Sequence, residues 1–586
     1  MLAFLQNLLN KTTNNQLVFL WLIVCFFALS YKLGEVPPYH SDENYYVESV
    51  RTMVESGDYL TPMYHDEKRF AKPILYYWLM SVSYKIFGVS LVSARLTSVF
   101  FGTLTIALLY FLSNRLFEEQ TALYSALVLP AMYMHFQISR WATTDIVMNF
   151  FILLSIYYFL CSYKNDFKGK AEISLFYLAA AMGFMTKGPP AVIIPILTAV
   201  IFLLITGRGV WSKMQIGKGL VILALVILPW FSIMFFLHGD EFKNHIVGAE
   251  ITNRLVHDTP FSLYFFGALF RYNLPWILFF LVVFFHQSGL QSCFIKPASG
   301  LSGYLKNVSH SISNHIKVLF RKANEPILFC YIWIFVCLAL FTIVRTEHSR
   351  YMLPASPAVA MIVAKFFSDL RYADLGRAGY KLSSLVTAVI FFGIAITSGG
   401  ALYVLNQIYD IPYVYFLLSA VFLVAGICII RLVKKRQYGK QVFVISFSLV
   451  FAFSFLSGEI IPHINRYPMK KFSTKIIAEN NSAYVAVYQL GNQRARLGVL
   501  TGQKVFGLSQ PNEVQKFVDT DEQVFIVMRE KSFKENFFSL PLKVLEQDIA
   551  WLRGDFDRKN IEGFVSKGES GKISELTEKI YLLSNK

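Results

Sequence analysis

Gly219-Leu-Val-Ile-Leu-Ala-Leu-Val-Ile-Leu-Pro-Trp-Phe-Ser-Ile-Met-Phe-Phe-Leu237 runs for 19 residues without a charged side chain. As a helix it crosses the roughly 30 Å hydrocarbon core of a bilayer. A helix apolar on every side has no place on the surface of a soluble domain. Comparable stretches fall near 17–34, 96–114, 121–139, 146–163, 173–187, 190–206, 268–288, 327–344, 351–369, 382–404, 412–431 and 441–461, about 13 spans in all. The 586-residue chain is 55% hydrophobic, 16% aromatic and only 16% charged, whereas ordinary soluble domains carry about 25% charged residues. This excludes a large soluble enzyme and a disordered or collagen-like chain. It predicts a polytopic α-helical membrane protein.

The net charge of +17 comes from 55 Lys and Arg against 38 Asp and Glu. Positive charges gather in the cytoplasmic loops of membrane proteins, so the surplus does not imply nucleic acid. With a cytoplasmic N-terminus, alternate loops are basic: Lys164, Lys168 and Lys170; Arg208, Lys213 and Lys218; Arg431, Lys434, Lys435, Arg436 and Lys440. The opposite loops are sparse, with Arg140, then Lys243 and Arg254, then Arg345 and Arg350. The six cysteines show neither metal-ligand spacing nor a small secreted framework.

The chain divides into a transmembrane domain, 1–462, and a small α/β domain, 463–586, placed outside by the odd number of spans. In the latter, β-like runs (Ala483-Tyr-Val-Ala-Val-Tyr488 and Val524-Phe-Ile-Val-Met528) alternate with helical patterns at 511–518 and 571–583. Residues 35–90 form a long first exterior loop, and its second half, from Pro73-Ile-Leu-Tyr-Tyr-Trp78 onward, is aromatic enough to lie in the interface. The stretch 238–270 has a similar character.

Charges near membrane depth are costly and therefore informative. Under this topology Asp42, Glu43, Lys72, Asp145, Lys187, His257 and Arg350 all map to the exterior face, where they describe a cavity suited to an anionic headgroup with a lipid tail. Each also has an ordinary structural reading. Asp42 and Glu43 fit an acidic first helical turn, and Asp145 fits an N-cap. Lys72 fits a snorkelling lysine, Lys187-Gly188-Pro189 a helix end, and His257 a structural histidine. Arg350 is the exception, because an arginine at a helix N-terminus opposes the dipole unless an anion is near.

Taken in order, Asp42-Glu43-x-x-Tyr46, Gly57-Asp58-Tyr59-Leu60-x-Pro62, Lys72-Pro73-x-Leu75-x-Tyr77-Trp78 and Phe87-Gly88 resemble the first exterior loop of the aminoarabinose transferase family. That family groups with protein O-mannosyltransferases among multi-spanning glycosyltransferases that use polyprenyl-phosphate sugars. Thr144-Asp145, Thr186-Lys187-Gly188-Pro189, His257 before Pro260-Phe261, Pro275-Trp276 and Arg350-Tyr351-x-Leu353-Pro354-x-x-Pro357 extend the resemblance over nearly the whole chain.

The resemblance implies transfer of a sugar, aminoarabinose, galactosamine or similar, from undecaprenyl phosphate to lipid A at the outer face of the bacterial inner membrane. It implies Asp42 as the catalytic carboxylate with Glu43 as its partner. Lys72, Arg350, Tyr351 and Lys187 would hold the donor phosphate, and Tyr46, Asp145 and His257 would line the cavity. No cofactor is implied beyond a divalent metal, and two departures bear on the site. Tyr45 stands where the family usually has Arg. Ala71 replaces a Glu associated with a metal, so the metal is in doubt. The competing readings are a protein or other glycan O-glycosyltransferase of the same fold, and a polyprenyl-sugar transporter. A transporter predicts coupling residues at the midplane and paired repeats, neither of which the sequence has.

Overall fold

A computed structural model describes residues 13–38, 40–246, 248, 263–287, 324–344, 348–370, 377–406, 412–465, 467–551 and 577–586. Its helices are α1 (Asn14–Ser30), α2 (His40–Ser56), α3 (Leu75–Phe87), α4 (Leu91–Leu116), α5 (Glu119–Val128), α6 (Tyr133–Ser139), α7 (Thr144–Lys164), α8 (Lys170–Lys187) and α9 (Pro190–Ile205). They continue with α10 (Ile216–Asn244), α11 (Tyr264–Tyr272), α12 (Trp276–Gln287), α13 (Glu325–Val344), α14 (Ser356–Asp369), α15 (Arg377–Asn406), α16 (Leu417–Lys434) and α17 (Tyr438–Phe455).

Among the described residues eight helices are long and apolar enough to cross a membrane, or nine if α11 and α12 form one broken span. The protein is a multi-pass membrane protein. Several stretches read as single spans fall on interrupted helices. The stretch 121–139 breaks at the turn Leu129–Ala131, where Pro130 supplies no backbone donor. The stretch 268–288 bends by 117° between α11 and α12. The stretch 351–369 opens as a 3₁₀ turn, Ser349–Ala355, containing Pro354, before α14. On α10, Leu225 and Phe236 are exposed while Trp230 and Met234 are buried, as expected of a helix with one side to lipid.

α3 is the aromatic half of the first loop. Tyr76, Tyr77, Met80 and Tyr84 are buried, whereas Trp78, Val82 and Ile86, four residues apart, form an exposed apolar stripe. A helix apolar on both faces that is too short to span belongs at a membrane interface.

The C-terminal unit carries α18 (Pro468–Asn480), β3 (Tyr484–Tyr488), α19 (Gln493–Thr501), β4 (Val505–Leu508), α20 (Pro511–Val518), β5 (Val524–Arg529), α21 (Glu530–Asn536), β6 (Lys543–Trp551) and β7 (Thr577–Ser584). The sheet order is β4-β3-β5-β7-β6, parallel for β4, β3 and β5 and antiparallel for the rest. Alternation along the strands makes two cores. Val485, Val487, Phe525 and Val527 pack with Phe472, Ile476 and Leu497, while Ala486, Tyr488, Ile526 and Met528 pack with Val514, Val518 and Phe533. Residues 511–518 are helical as read. The helix read at 571–583 is corrected: 577–583 lies in β7, and 571–576 lie outside the described residues. Ile580-Tyr-Leu-Leu583 is buried on both faces between β5 and β6, and periodicity cannot separate such a run from a buried helix.

This unit grips the first loop. Lys470 pairs with Glu35, and the buried Arg496 donates to the carbonyl of Pro38 at 2.9 Å. A hairpin of β1 (Met63–Tyr64) and β2 (Glu67–Lys68) presents Asp66, which accepts from Arg494 and from Lys504, each at 3.0 Å. Those two cations hold the Asp66 carboxyl below the usual range. Burial, helped by Arg494, pushes the neighbouring His65 down to about 4, so it is neutral at physiological pH. α2 meets α19 where Gly498 lies against the buried Glu48–Arg51 pair, and a Cβ there would stand 3.1 Å from Glu48 Oε2.

Replacing Arg496 by Ala removes a charged donor from a buried carbonyl and is expected to cost about 1.5–3 kcal/mol. The measurement is the melting temperature together with the rate of limited proteolysis in the C-terminal unit. An unchanged melting temperature and cleavage rate would show that this contact does not hold the unit to the loop.

Candidate functional site

The site is built on a frame around Arg95, near the start of α4. Its Nε and Nη2 donate to the two oxygens of Glu43 at 2.7 and 2.8 Å. Nη1 donates to the carbonyls of Leu33 and Val36, and Nη2 also to that of Pro37. Glu43 additionally accepts from the backbone of Ala142 at 2.8 Å, and both side chains are buried. Arg140 closes the end of α1 by donating to the carbonyls of Ala28, Leu29 and Tyr31. The entry to α2 is thereby fixed against α1, α4 and the turn before α7.

Adjacent residues on a helix point about 100° apart, so Asp42 faces elsewhere than Glu43. Asp42 pairs with Arg350 of the 3₁₀ turn. Asp145, buried in the first turn of α7, pairs with Lys187, the last residue of α8. α7 and α8 run antiparallel, which brings these two ends together. Gly188, at φ 101°, then turns the chain into Pro189 and α9, a conformation that side-chain-bearing residues rarely adopt. Arg350 Nε lies 3.9 Å from Asp145 Oδ2, so Arg350 links the two carboxylates.

Lys187 Nζ stands 4.9 Å from the ring centroid of Tyr351, which itself stacks on Phe341 at 5.2 Å. Lys72 donates to the carbonyl of Ala71 at 2.7 Å and is near enough for its charge to act on Lys187. Tyr46 is buried beside Tyr76 and Tyr77, with centroids 5.2 and 5.4 Å away, and within reach of Thr144 and Asp42. Burial raises its hydroxyl well above the ordinary phenol range, which keeps it a neutral hydrogen-bonding group.

The structure thus brings together Asp42, Tyr46, Lys72, Asp145, Lys187, Arg350 and Tyr351. It sets Glu43 in the frame behind them. His257 lies outside the described residues. Two cations escaped the sequence reading. Arg95 stood at the margin of a span, where a charge is itself a signal. Arg69 was hidden in the run Glu67-Lys68-Arg69, yet its guanidinium lies 3.9 Å from the ring centroid of Tyr45. Among the described residues, four cations (Arg69, Lys72, Lys187 and Arg350) accompany two carboxylates (Asp42 and Asp145), a combination that suits an anionic ligand. With Ala71 in place of the expected Glu, no three His, Cys, Asp or Glu side chains among the described residues converge on a metal position. No step is therefore drawn through a metal.

Residues 71–233 match the family described as dolichyl-phosphate-mannose-protein mannosyltransferase. A protein of Aquifex aeolicus is 27% identical over 354 residues, which are 59% of this chain and 62% of that protein. An undecaprenyl phosphate-alpha-4-amino-4-deoxy-L-arabinose arabinosyl transferase of Serratia proteamaculans is 26% identical over 379 residues, 63% of this chain and 62% of its own length. The matches span about three fifths of these relatives. ArnT from Cupriavidus metallidurans, solved bound to undecaprenyl phosphate, has a TM-score of 0.69 at 17% identity, covering 97% of this chain and 98% of that one. At that identity the likeness establishes the fold. The chain is thus similar in sequence, over about three fifths of its length, to aminoarabinose transferases and, over residues 71–233, to the protein mannosyltransferase family, and it has the fold of the former.

Proposed function

We infer that the protein transfers a sugar from undecaprenyl phosphate to lipid A at the periplasmic face of the inner membrane. The sugar is aminoarabinose, galactosamine or a relative. The observation that carries this reading is the Asp42–Arg350–Asp145–Lys187 chain of charges, assembled where the ends of α2, α7 and α8 and the 3₁₀ turn meet beside the bundle. A lipid-linked substrate reaches such a site from the membrane while its headgroup stays among the charges.

Breaking the bond between sugar and phosphate puts negative charge on the leaving phosphate oxygen. Cations fixed there stabilise the transition state more than the ground state. Arg350, Lys187 and Lys72 are assigned that task, with Tyr351 holding Lys187 in place. Asp42 faces the sugar, where it steadies positive charge on the ring or takes a proton from an acceptor hydroxyl. A phosphate acceptor, with a second pKa near 6, already attacks as an anion, and Asp42 then orients rather than deprotonates. Glu43 is a positioning residue that acts through Arg95. Asp145 keeps Lys187 and Arg350 in register, and Tyr46 lines the cavity. The matched family's name favours one second reading, a protein acceptor, with the same donor chemistry.

Mass spectrometry of lipid A from cells with and without the gene tests the acceptor. A mass increment of one sugar that depends on the gene is expected, and an unchanged spectrum with newly unglycosylated protein would transfer the assignment to the protein acceptor. Arg350→Gln is expected to lower turnover by about 10²–10³-fold, the usual cost of one lost oxyanion donor. Retention of full turnover by that variant would remove Arg350 from the reaction. Asp42→Asn is expected to abolish transfer to a hydroxyl acceptor while sparing much of the transfer to a phosphate acceptor, measured with defined lipids. Equal losses on both would rule out the proton-accepting role.

A further inference from the structure

Arg69 is the cation of the cavity that the transfer chemistry above does not use. Its main chain is tied down, with the amide donating to the carbonyl of Pro62 at 2.8 Å. Its guanidinium lies 3.9 Å from the ring centroid of Tyr45 and 6.0 Å from that of Tyr46. Burial acts on it most strongly, followed by Tyr77, which also hydrogen-bonds it, and by Tyr46 and Tyr45. Among the described residues no carboxylate comes within ion-pair distance of it, since Asp42 is engaged by Arg350. Its Nε is buried without a hydrogen-bond partner.

A half-buried guanidinium packed on the Tyr45 ring has given up part of its hydration. Cation–π attraction returns only part of what an ion loses in leaving water. The N–H edge of a guanidinium is the part built to grip a planar or tetrahedral anion. Packing alone does not explain the charge, because an uncharged side chain of similar length would fill the space between the tyrosines at lower cost. Arg69 also stands beside Tyr46, which is within electrostatic reach of Asp42. Its unpaired Nε therefore belongs to the same group of residues as Tyr46 and Asp42.

We propose that Arg69, held by Tyr45 and Tyr46, is a second anion-binding residue of this site and takes a phosphate oxygen of one of the two lipid substrates. The assignment rests on the transferase reading above. The phosphate belongs either to the polyprenyl donor or to a phosphorylated acceptor, and the chemistry of recognition is the same for both.

The test uses the full-length protein in lipid nanodiscs, with undecaprenyl phosphate as the binding probe and with phosphorylated and dephosphorylated lipid A as acceptors. If the donor is the source, R69Q weakens binding of undecaprenyl phosphate about tenfold. If the acceptor is the source, R69Q leaves that binding intact and raises KM about tenfold for the phosphorylated acceptor only. R69K, which keeps the charge but not the fork, recovers part of either loss. Either pattern supports the assignment. A change of less than twofold in both measurements, in an R69Q protein with the wild-type melting temperature, overturns it. Should R69Q fold poorly, the same comparison is made between R69K and wild type, and identical values overturn the assignment. Failure of the transferase reading is distinguishable. In that case wild type itself does not bind undecaprenyl phosphate, or binds it equally well after Arg350→Gln.

Discussion

The buried pair of Glu43 and Arg95 sets the geometry on which the site depends. Two charges removed from water cost several kcal/mol each, and only excellent geometry with further hydrogen bonds offsets that. Here Arg95 meets both oxygens of Glu43 and three backbone carbonyls, and Glu43 gains the amide of Ala142. Breaking such a pair leaves an uncompensated buried charge, so the entry to α2 has one stable arrangement. Asp42, one residue earlier, inherits its direction from that arrangement. The Asp-Glu dipeptide thus divides its work: the second carboxylate fixes the helix and the first meets Arg350.

The same helix joins the cavity to the C-terminal unit. Its first turn carries Asp42, and the Glu48–Arg51 pair farther along it lies against Gly498 of α19. The segments around it are also held, at Glu35 by Lys470, at Pro38 by Arg496 and at Asp66 by Arg494 and Lys504. A loop with a polar backbone and several charges cannot rest stably at a bilayer surface unless those groups are satisfied. The C-terminal unit supplies partners for several of them.

Much of this was legible in the sequence, for physical reasons. Runs such as 219–237 have one stable solution in a cell, and charged residues beside them are rare enough that Asp42, Asp145, Lys187 and Arg350 could be singled out. Their pairing was not legible, because contacts such as Arg350 with Asp42 and Arg95 with Glu43 depend on how the helices pack. Breaks were also missed: hydropathy counts apolar residues and does not register the 117° bend between α11 and α12. β7 was misread because a strand buried on both faces loses the alternation that identifies strands. Arg69 was overlooked because a run of charges reads as a solvated face until the rings above it are seen.

On the transferase reading, the resting ion pairs have a further consequence. Arg350 is shared between Asp42 and Asp145, and its Nε has no hydrogen bond. A phosphate entering the cavity offers the guanidinium a stronger, bidentate partner than a carboxylate already shared. As Arg350 turns to the phosphate, its hold on Asp42 weakens, and it does so when the sugar linked to that phosphate has arrived beside that carboxylate. Asp145 also pairs with Lys187, which holds that cation in order beside Arg350. Binding of the donor in this way shifts the balance of charge around the carboxylate that the next step needs.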